Sequence, residues 1–245
     1  MRDDFEDRYR KRKAEGKPGW TDEYESKVAE LEKLLKADYA PKGGRFLELG
    51  CGAGNLTLWL AERGFEAYGM DRAPTAIAWA QENARPRSLK ADFRVGDVVD
   101  LEGYPSDSFD FVLDGGCFHY ITGEDRKRFL ASARRVLKPG GLFRVSTTYG
   151  NDQVKERMEV SPGCFYDPQS RCLLKAGKPH AYVGLADSIL EEIRSAGFQS
   201  LRWETLERND EKQPFVQGGL TVDALKTGSG MDTRSVPPLP LVTPC

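Results

Sequence analysis

Residues 46–55 read Phe-Leu-Glu-Leu-Gly-Cys-Gly-Ala-Gly-Asn, and this stretch decides the fold. A short apolar strand leads into Gly50, Gly52 and Gly54, and a helix is predicted over residues 55–63. Glycines at alternate positions let the backbone turn sharply and approach a bound ligand where a Cβ atom would collide. The pattern predicts a strand, a ligand-binding loop and a helix, although a glycine-rich turn without a ligand could have the same sequence.

The spacing of these glycines discriminates between cofactors. A dinucleotide site requires G-x-G-x-x-G, so that a pyrophosphate meets the start of the helix. Here Asn55 stands where the third glycine of that motif would be. Glu48 adds a carboxylate that would repel a pyrophosphate and attract an ammonium or a sulfonium group. S-adenosylmethionine (SAM) carries both cations and no phosphate, so the loop favours SAM, with an NAD(P)-dependent oxidoreductase as the alternative enzyme.

Two further acids follow predicted strands. Asp71 ends the strand at residues 66–70 and can accept hydrogen bonds from both hydroxyls of a ribose, a device that NAD sites also use. It could instead cap the helix that begins near Pro74. Asp97 follows the third strand and can meet an adenine amino group, or serve only in a turn. Together these acids indicate an adenosine ligand.

From residue 45 to Tyr149 the chain alternates between strands and helices, which indicates right-handed crossovers and a parallel sheet covered on both faces, and after Tyr149 the alternation lapses. A Lys-Pro-Gly-Gly turn at residues 138–141 is expected to stop a helix before the fifth strand. Residues 150–180 are polar and predict a loop or lid. The predicted helices are residues 21–37 (capped by Thr21), 55–63, 74–84, 124–137 and 187–196, and the predicted strands are residues 45–49, 66–70, 92–95, 110–114, 142–147, 200–206 and 218–225.

These features predict one α/β domain with additions at its ends. Residues 1–40 are expected to form a helical cap over the active site, and residues 41–226 the main domain, with a substrate-side insertion at 150–185. Residues 227–245 form a Gly-, Ser- and Pro-rich tail that could be a linker with a short peptide.

The motifs together resemble the class I SAM-dependent methyltransferase family. ELGCGAGN is similar to its glycine-rich motif, Asp71 to its ribose-binding acid, DFVLDG (110–115) to its fourth strand, and RRVLKPGG (134–141) to the turn before its fifth. The resemblance implies a Rossmann-like, seven-stranded, mostly parallel sheet with an antiparallel C-terminal hairpin. The cofactor contacts that follow from the motifs are Glu48, Gly50, Cys51, Gly52, Gly54, Asn55, Asp71, Arg72, Gly96, Asp97, Val98, Asp114 and Gly115.

The amino-terminal residues carry a looser resemblance, to the thiopurine and tellurite methyltransferase group. Phe5 to Tyr9, then Gly16 and Trp20, look like its opening W-x-x-R-Y/W and G-x-x-x-W elements, with Phe5 in place of the first tryptophan. The resemblance implies that Trp20 contacts the cofactor, and helix packing on the core is the alternative.

The chemistry at the methyl group is expected after the fourth strand. His119 titrates near neutrality and could take a proton from a hydroxyl, thiol or amine, and Tyr120 could orient the acceptor. His119 could equally hydrogen-bond to the backbone or pack on the cofactor. The aromatic and basic residues expected to line an acceptor pocket are Tyr149, Phe165, Tyr166, Arg171, His180 and Tyr182.

Composition narrows the function classes. A net charge of −2 gives no basic footprint for nucleic acid, and two histidines without a CxxC motif predict no metal site. No run of about 18 apolar residues and no signal peptide occur, so no membrane contact and a cytoplasmic location are expected. The sequence predicts a small-molecule O-, S- or N-methyltransferase. A SAM-binding scaffold without turnover, and a peptide methyltransferase with the C-terminal tail as tethered substrate, remain open; the oligomeric state is not determined.

Overall fold

The computed structural model describes residues 2–87, 89–208 and 211–228, so the predicted tail at 227–245 lies outside the described residues from residue 229 onwards. Within these ranges the helices are α1 (Arg2–Ala14), α2 (Tyr24–Lys36), α3 (Asn55–Ala61), α4 (Pro74–Ala84), α5 (Asp125–Val136) and α6 (Ala186–Ser195). The strands are β1 (Gly44–Leu49), β2 (Phe65–Asp71), β3 (Ala91–Val95), β4 (Phe109–Asp114), β5 (Leu137–Gly150), β6 (Met158–Ser161), β7 (Cys164–Asp167), β8 (Cys172–Lys175), β9 (Lys178–Tyr182), β10 (Phe198–Glu207) and β11 (Val216–Lys226).

The main sheet has seven strands in the order β3-β2-β1-β4-β5-β11-β10. The first five strands run parallel, whereas β11 pairs antiparallel with both β5 and β10. This arrangement confirms the predicted seven-stranded, mostly parallel sheet with an antiparallel C-terminal hairpin. The strand order reverses between β1 and β4, and ligands bind at such a reversal in open sheets of this type.

The two faces of β1 bury different layers of the core. Phe46 packs with α2 and α3, while Leu47 and Leu49 pack on the opposite face with α5 and α6. All three are fully buried, and Glu48 shares the face of Phe46 because side chains alternate along a strand. The sequence of β1 therefore brings a carboxylate onto the α2–α3 side of the sheet, just before the glycine loop.

Two predicted boundaries were wrong. Helix α2 begins at Tyr24 rather than at residue 21, and no side-chain cap bonds its first turn, so Thr21 does not cap it. The Lys-Pro-Gly-Gly segment does not separate α5 from a later strand, because β5 already begins at Leu137. The segment is an irregularity in the pairing of β4 with β5, between Leu137 opposite Phe109 and Leu142 opposite Phe111.

The loop predicted at residues 150–180 is instead a second sheet. Four short antiparallel strands lie in the order β6-β7-β8-β9. Tight turns join them, and Gly163 and Gly177 supply positive φ angles of 75° and 73° at two of these turns. The strands have only four or five residues each and few buried side chains, so they lack the apolar alternation that would predict them.

Helix α1 docks on α4 through polar contacts. Glu6 accepts hydrogen bonds from the backbone nitrogen of Thr75 at 3.1 Å and from its hydroxyl at 2.5 Å. Lys13 forms an ion pair with Glu82, at the other end of α4, at 2.6 Å. Since α4 has no side-chain cap of its own, Glu6 supplies the partner for its first turn from outside the helix.

A buried ion pair ties β11 to β5. Arg144 donates to Asp223 at 2.7 Å, directly across the two strands, and the Tyr39 hydroxyl donates to the same carboxylate at 2.8 Å. The Asp223 side chain is only 2% exposed. The interaction also connects the segment after α2 to the sheet.

We expect Asp223→Ala to lower the free energy of unfolding by about 3–5 kcal/mol, because it leaves the Arg144 charge buried without its carboxylate partner. Urea denaturation followed by circular dichroism measures this change. The control is Arg128→Ala, which removes exposed ion pairs with Asp100 and Asp125 and should cost less than about 1 kcal/mol. Equal losses in the two variants would contradict a structural role for the buried pair.

Candidate active site

A cavity that is open to solvent crosses the carboxyl ends of β1 to β4. Asp97 follows β3, Asp71 ends β2, Glu48 lies near the end of β1, and Gly115 follows β4. All four residues line the cavity. In this order, the strands place two acids near one end of the cavity and Glu48 with the glycines near the other.

The glycine loop is shaped by contacts that exclude larger residues. The backbone nitrogens of Gly50 and Cys51 both donate to the Met70 carbonyl, at 2.8 and 3.0 Å. Gly54 begins α3 with a φ of 76°, and a Cβ there would lie 2.8 Å from the Phe93 ring. At Gly115 a Cβ would lie 2.7 Å from the Gly50 carbonyl oxygen. The loop after β4 can approach the loop after β1 because Gly115 lacks a side chain, whereas the missing side chain of Gly54 makes room for Phe93 of β3.

Glu48 is a buried carboxyl group at the floor of the cavity. Its side chain accepts a hydrogen bond from the Thr57 hydroxyl at 2.5 Å, and the residue is 3% exposed. Burial raises the pKa of Glu48 to about 7, against the lowering effects of Thr57 and of the Lys27 charge. A carboxylate held in this way is poised to receive a cation.

Asp71 is held by donors on both of its oxygens. The backbone nitrogen of Ala73 donates to Oδ1 at 2.9 Å, and the nitrogen of Gly52 donates to Oδ2 at 3.0 Å. The hydroxyl of Tyr9, from α1, also donates to Oδ2, at 3.2 Å. Burial raises the pKa of Asp71, while the three hydrogen bonds oppose that shift. The carboxylate expected to meet a ribose therefore already has a donor from the amino-terminal helix.

Aromatic rings surround the mouth of the cavity. The Phe5 ring lies 5.7 Å from that of Trp20 and 5.3 Å from that of Tyr120, in a stacked and an edge-on arrangement. Tyr9 packs against Trp20 at 5.0 Å, and the Arg8 guanidinium lies 3.8 Å over the Trp20 ring. Helix α1 and the segment after it thus supply most of the apolar surface at the opening.

The structure brings most of the predicted site residues together. Those that line the cavity are Trp20, Glu48, Gly50, Cys51, Gly52, Asn55, Asp71, Arg72, Gly96, Asp97, Val98, Gly115 and Tyr120. Gly54, Asp114 and His119 do not line it. The Asn55 side chain also donates to the Pro18 carbonyl at 2.8 Å and so holds the segment before Trp20.

Asp114 and His119 have other surroundings than predicted. Asp114 is buried and accepts hydrogen bonds from the backbone nitrogens of Cys117 and Phe118, at 2.9 and 3.1 Å, so it shapes the turn after β4. His119 packs against the Tyr120 ring at 4.1 Å, and its buried Nδ1 has no hydrogen-bond partner among the described residues. Burial lowers the pKa of His119 to about 4, which leaves a weak base near neutral pH.

The residues expected to form an acceptor pocket from the insertion do not line this cavity. Tyr166 stacks on Phe215 at 4.0 Å in the core of the small sheet, and Arg126 lies over the Tyr182 ring at 4.2 Å. His180 comes nearest, since its ring lies 6.4 Å from Phe5 and 5.7 Å from Tyr120. The insertion therefore meets the aromatic residues of the cavity through His180, which packs against Phe5 and Tyr120.

Sequence reasoning missed several lining residues on the amino-terminal helices. Phe5 and Tyr9 of α1, and Tyr24 and Lys27 of α2, all face the cavity. A signal for the last two was present: Tyr24 and Lys27 continue the spacing of Leu31 and Leu34 along the buried face of α2. The change from buried leucines to Tyr24 and Lys27 along this face marks where α2 passes from the core to the cavity.

Comparisons with known proteins agree with the fold and the motifs. A family model described as a methyltransferase domain matches residues 47–145. A 2-heptyl-1-hydroxyquinolin-4(1H)-one methyltransferase from Mycobacteroides abscessus is 34% identical over 147 residues, covering 58% of this chain and 63% of the relative. A ubiquinone biosynthesis O-methyltransferase from Cereibacter sphaeroides is 34% identical over 124 residues, covering 51% of this chain and 49% of the relative. The chain thus spans between about half and 63% of the length of these two relatives.

A solved structure resembles nearly the whole chain. The 1,6-didemethyltoxoflavin-N1-methyltransferase of Burkholderia thailandensis, with bound 1,6-didemethyltoxoflavin and S-adenosylhomocysteine, has a TM-score of 0.65. It is 21% identical and the match covers 93% of this chain and 87% of that one, which shows a shared fold. Over residues 47–145 this chain is thus similar to a methyltransferase domain, and its fold is one that a SAM-dependent methyltransferase also has. The looser resemblance to the thiopurine and tellurite group stays a prediction.

The described residues contain no helix that is both long and apolar enough to cross a bilayer.

We expect Glu48→Gln to stabilise the ligand-free protein above neutral pH. The folded-state pKa of Glu48 lies near 7, above its ordinary value of 4.5, so its contribution to stability is present below pH 4.5 and is lost as pH rises through 7. The glutamine amide stays neutral at every pH, so the variant does not lose this part of the free energy of unfolding. The gain at pH 8 is bounded by about 3 kcal/mol, since one pKa unit corresponds to roughly 1.4 kcal/mol.

Urea denaturation of both proteins at pH 5 and pH 8 measures the difference. Glu62→Gln, which changes a half-exposed carboxylate just beyond α3, is the control and should show no such pH dependence. Parallel pH curves for wild type and Glu48→Gln would refute the buried, raised-pKa carboxyl group.

Proposed function

We propose that the protein binds SAM across the ends of β1 to β4 and transfers its methyl group to an oxygen, sulfur or nitrogen of a small planar acceptor. The observation that carries the proposal is the single cavity formed by the glycine loop, Glu48, Asp71 and Asp97. Bound SAM supplies a methyl group on a sulfonium, which an acceptor atom displaces in line.

The charges of the cavity support SAM rather than a dinucleotide. Three carboxyl side chains line it (Glu48, Asp71 and Asp97), against the two cations Lys27 and Arg72. A buried carboxyl group beside the glycine loop would repel a pyrophosphate and attract an ammonium group. The fit is to a ligand with a net positive charge.

Two observations support a planar acceptor. Phe5, Trp20 and Tyr120 present ring faces and edges at the opening, and such surfaces bind flat apolar groups by stacking. The relative from Mycobacteroides abscessus is named for a quinolinone, and the structural neighbour from Burkholderia thailandensis holds 1,6-didemethyltoxoflavin. By analogy we infer a ring compound as acceptor for this chain.

Placement is the main contribution we assign to the protein. Holding the acceptor atom about 3–3.5 Å from the methyl group, in line with the breaking bond, lowers the activation barrier by several kcal/mol. Burial raises the pKa of Tyr120, so its hydroxyl stays protonated and can donate a hydrogen bond that orients the acceptor. His119 is outside the cavity lining and is not needed in this scheme.

Calorimetry and turnover test the proposal together. We expect S-adenosylhomocysteine to bind the wild-type protein and NADH not to bind. Asp71→Asn should weaken the binding of S-adenosylhomocysteine at least about tenfold, because a charge-assisted hydrogen bond is lost. Asp7→Asn, on the exposed face of α1, is the control. Release of S-adenosylhomocysteine from SAM should then be screened with hydroxylated and nitrogen-containing ring compounds.

Absence of S-adenosylhomocysteine binding by the wild type would overturn the proposal. Binding without turnover on the whole acceptor panel would favour a SAM-binding scaffold instead.

The role of the residues after β4 can be separated by two substitutions. We expect His119→Asn to retain kcat within about threefold, because a general base contributes roughly 100-fold or more and this histidine is a weak base outside the cavity. Tyr120→Phe should raise the acceptor KM more than it changes S-adenosylhomocysteine affinity. Steady-state kinetics with the best acceptor measure both. A 100-fold fall in kcat for His119→Asn would contradict this expectation and indicate that His119 is the general base.

A further inference from the structure

The order of the strand ends assigns parts of the ligand to parts of the cavity, if the proposed function holds. Neighbouring strands lie about 4.8 Å apart, so the distance from the end of β3 to the end of β4 is three spacings, or roughly 14 Å. Asp97 and Asp71 mark the adenosine end of this span. The amino-acid end of the cofactor then falls where β1 and β4 end, next to Glu48, Gly115 and Gly116.

A cation faces this end of the cavity. Lys27 lines the cavity from α2, and a Cβ built at Gly116 would lie 3.8 Å from its Nζ atom. Its charge also acts on the buried carboxyl groups of Glu48 and Asp114. The other cation of the lining, Arg72, directly follows Asp71 and lies at the opposite end, over the Phe5 ring at 5.9 Å.

The position of Lys27 on α2 is unusual for a lysine. Tyr24, Lys27, Leu31 and Leu34 lie on one side of the helix, and the two leucines are buried in the core. Lys27 is half-buried, whereas Lys33 and Lys36 of the same helix are exposed. Among the described residues, the Lys27 ammonium forms no hydrogen bond or salt bridge. A cation turned inward without such a partner is suited to an anionic ligand group.

An α-amino acid group carries an ammonium and a carboxylate on one carbon atom, so its site needs an acid and a base a few ångströms apart. Glu48 and Lys27 approach this end of the cavity from β1 and from α2 respectively. We propose that Lys27 binds the carboxylate at the amino-acid end of the cofactor, with Glu48 as the partner of the ammonium group. The other source of an oxyanion at this position is the acceptor.

Three ligands that differ only at this end test the proposal by calorimetry. S-adenosylhomocysteine carries both charges, 5′-deoxy-5′-(3-aminopropylthio)adenosine carries the ammonium alone, and 5′-methylthioadenosine carries neither. The variants are Lys27→Met, which removes the charge at similar length, Lys27→Arg, which restores a cation, and Lys36→Met as the matched control on the exposed face of α2.

We expect Lys27→Met to weaken the binding of S-adenosylhomocysteine by about tenfold or more, which is the usual effect of losing a charge-assisted hydrogen bond. The affinities of the two ligands without a carboxylate should change less than about twofold, since the lost interaction is specific to that group. Lys27→Arg should recover most of the S-adenosylhomocysteine affinity, and Lys36→Met should leave all three affinities unchanged.

Three outcomes would overturn the proposal. If the affinities of all three ligands fell equally, Lys27 would only support the structure. If none of the three affinities changed, Lys27 would not contact the cofactor. A rise in acceptor KM with unchanged S-adenosylhomocysteine affinity would assign Lys27 to an acceptor oxyanion. In each case wild-type binding of S-adenosylhomocysteine remains the separate test of the proposed function.

Discussion

The site depends on the register of β1 between β2 and β4. Leu49 lies opposite Met70 on one side and Asp114 on the other, so the chain leaves all three strands at the same edge of the sheet. Hydrogen bonds from Gly50 and Cys51 to the Met70 carbonyl, and from Gly115 to the Leu49 carbonyl, then fix the loops that follow. A slip of one residue would turn Glu48 to the opposite face and separate it from the glycine loop.

That register explains why the carboxyl groups can stay buried without neutralising partners of their own. Backbone and hydroxyl donors satisfy Asp71 and Glu48, and the nearest cations belong to α2 and to the residue after β2. Burial raises the pKa of both carboxyl groups, so negative charge on them is costly to maintain. A cationic ligand removes part of that cost, which makes the charge pattern a source of both affinity and selectivity.

The sequence predicted the central sheet well because its signals are local. Helix α4 has the predicted bounds, since Pro74 is suited to a first turn and the apolar spacing continues to Ala84. The glycine loop and Asp71 were predicted from residue type and spacing alone, and Gly50, Gly52 and Asp71 line one cavity. Asp114 and His119 were placed in the site because they lie at the end of β4 and just after it, but the direction of their side chains depends on a turn that Asp114 itself forms.

The remaining parts depend on tertiary contacts that no local pattern reports. The four hairpin strands of the insertion are too short and too exposed for alternation to be visible, and α1 is a highly polar helix with Phe5 and Tyr9 as its main contacts to the cavity. Lys27 continues the spacing of the buried leucines of α2, but only the packing of the helix decides that this side reaches the cavity. Each of these features is decided by what a segment packs against.

The cap of α4 has a consequence for the amino terminus. Because Glu6 satisfies the first turn of α4 from another helix, the corner between β2 and α4 is completed only when α1 is docked. Asp71 and Ala73 form that corner. Removing the first dozen residues, or crowding them with a fused peptide, would therefore leave the donors at the start of α4 unsatisfied. The Asp71 carboxylate at the end of β2 would then be held less firmly, although neither change alters a residue of the central sheet.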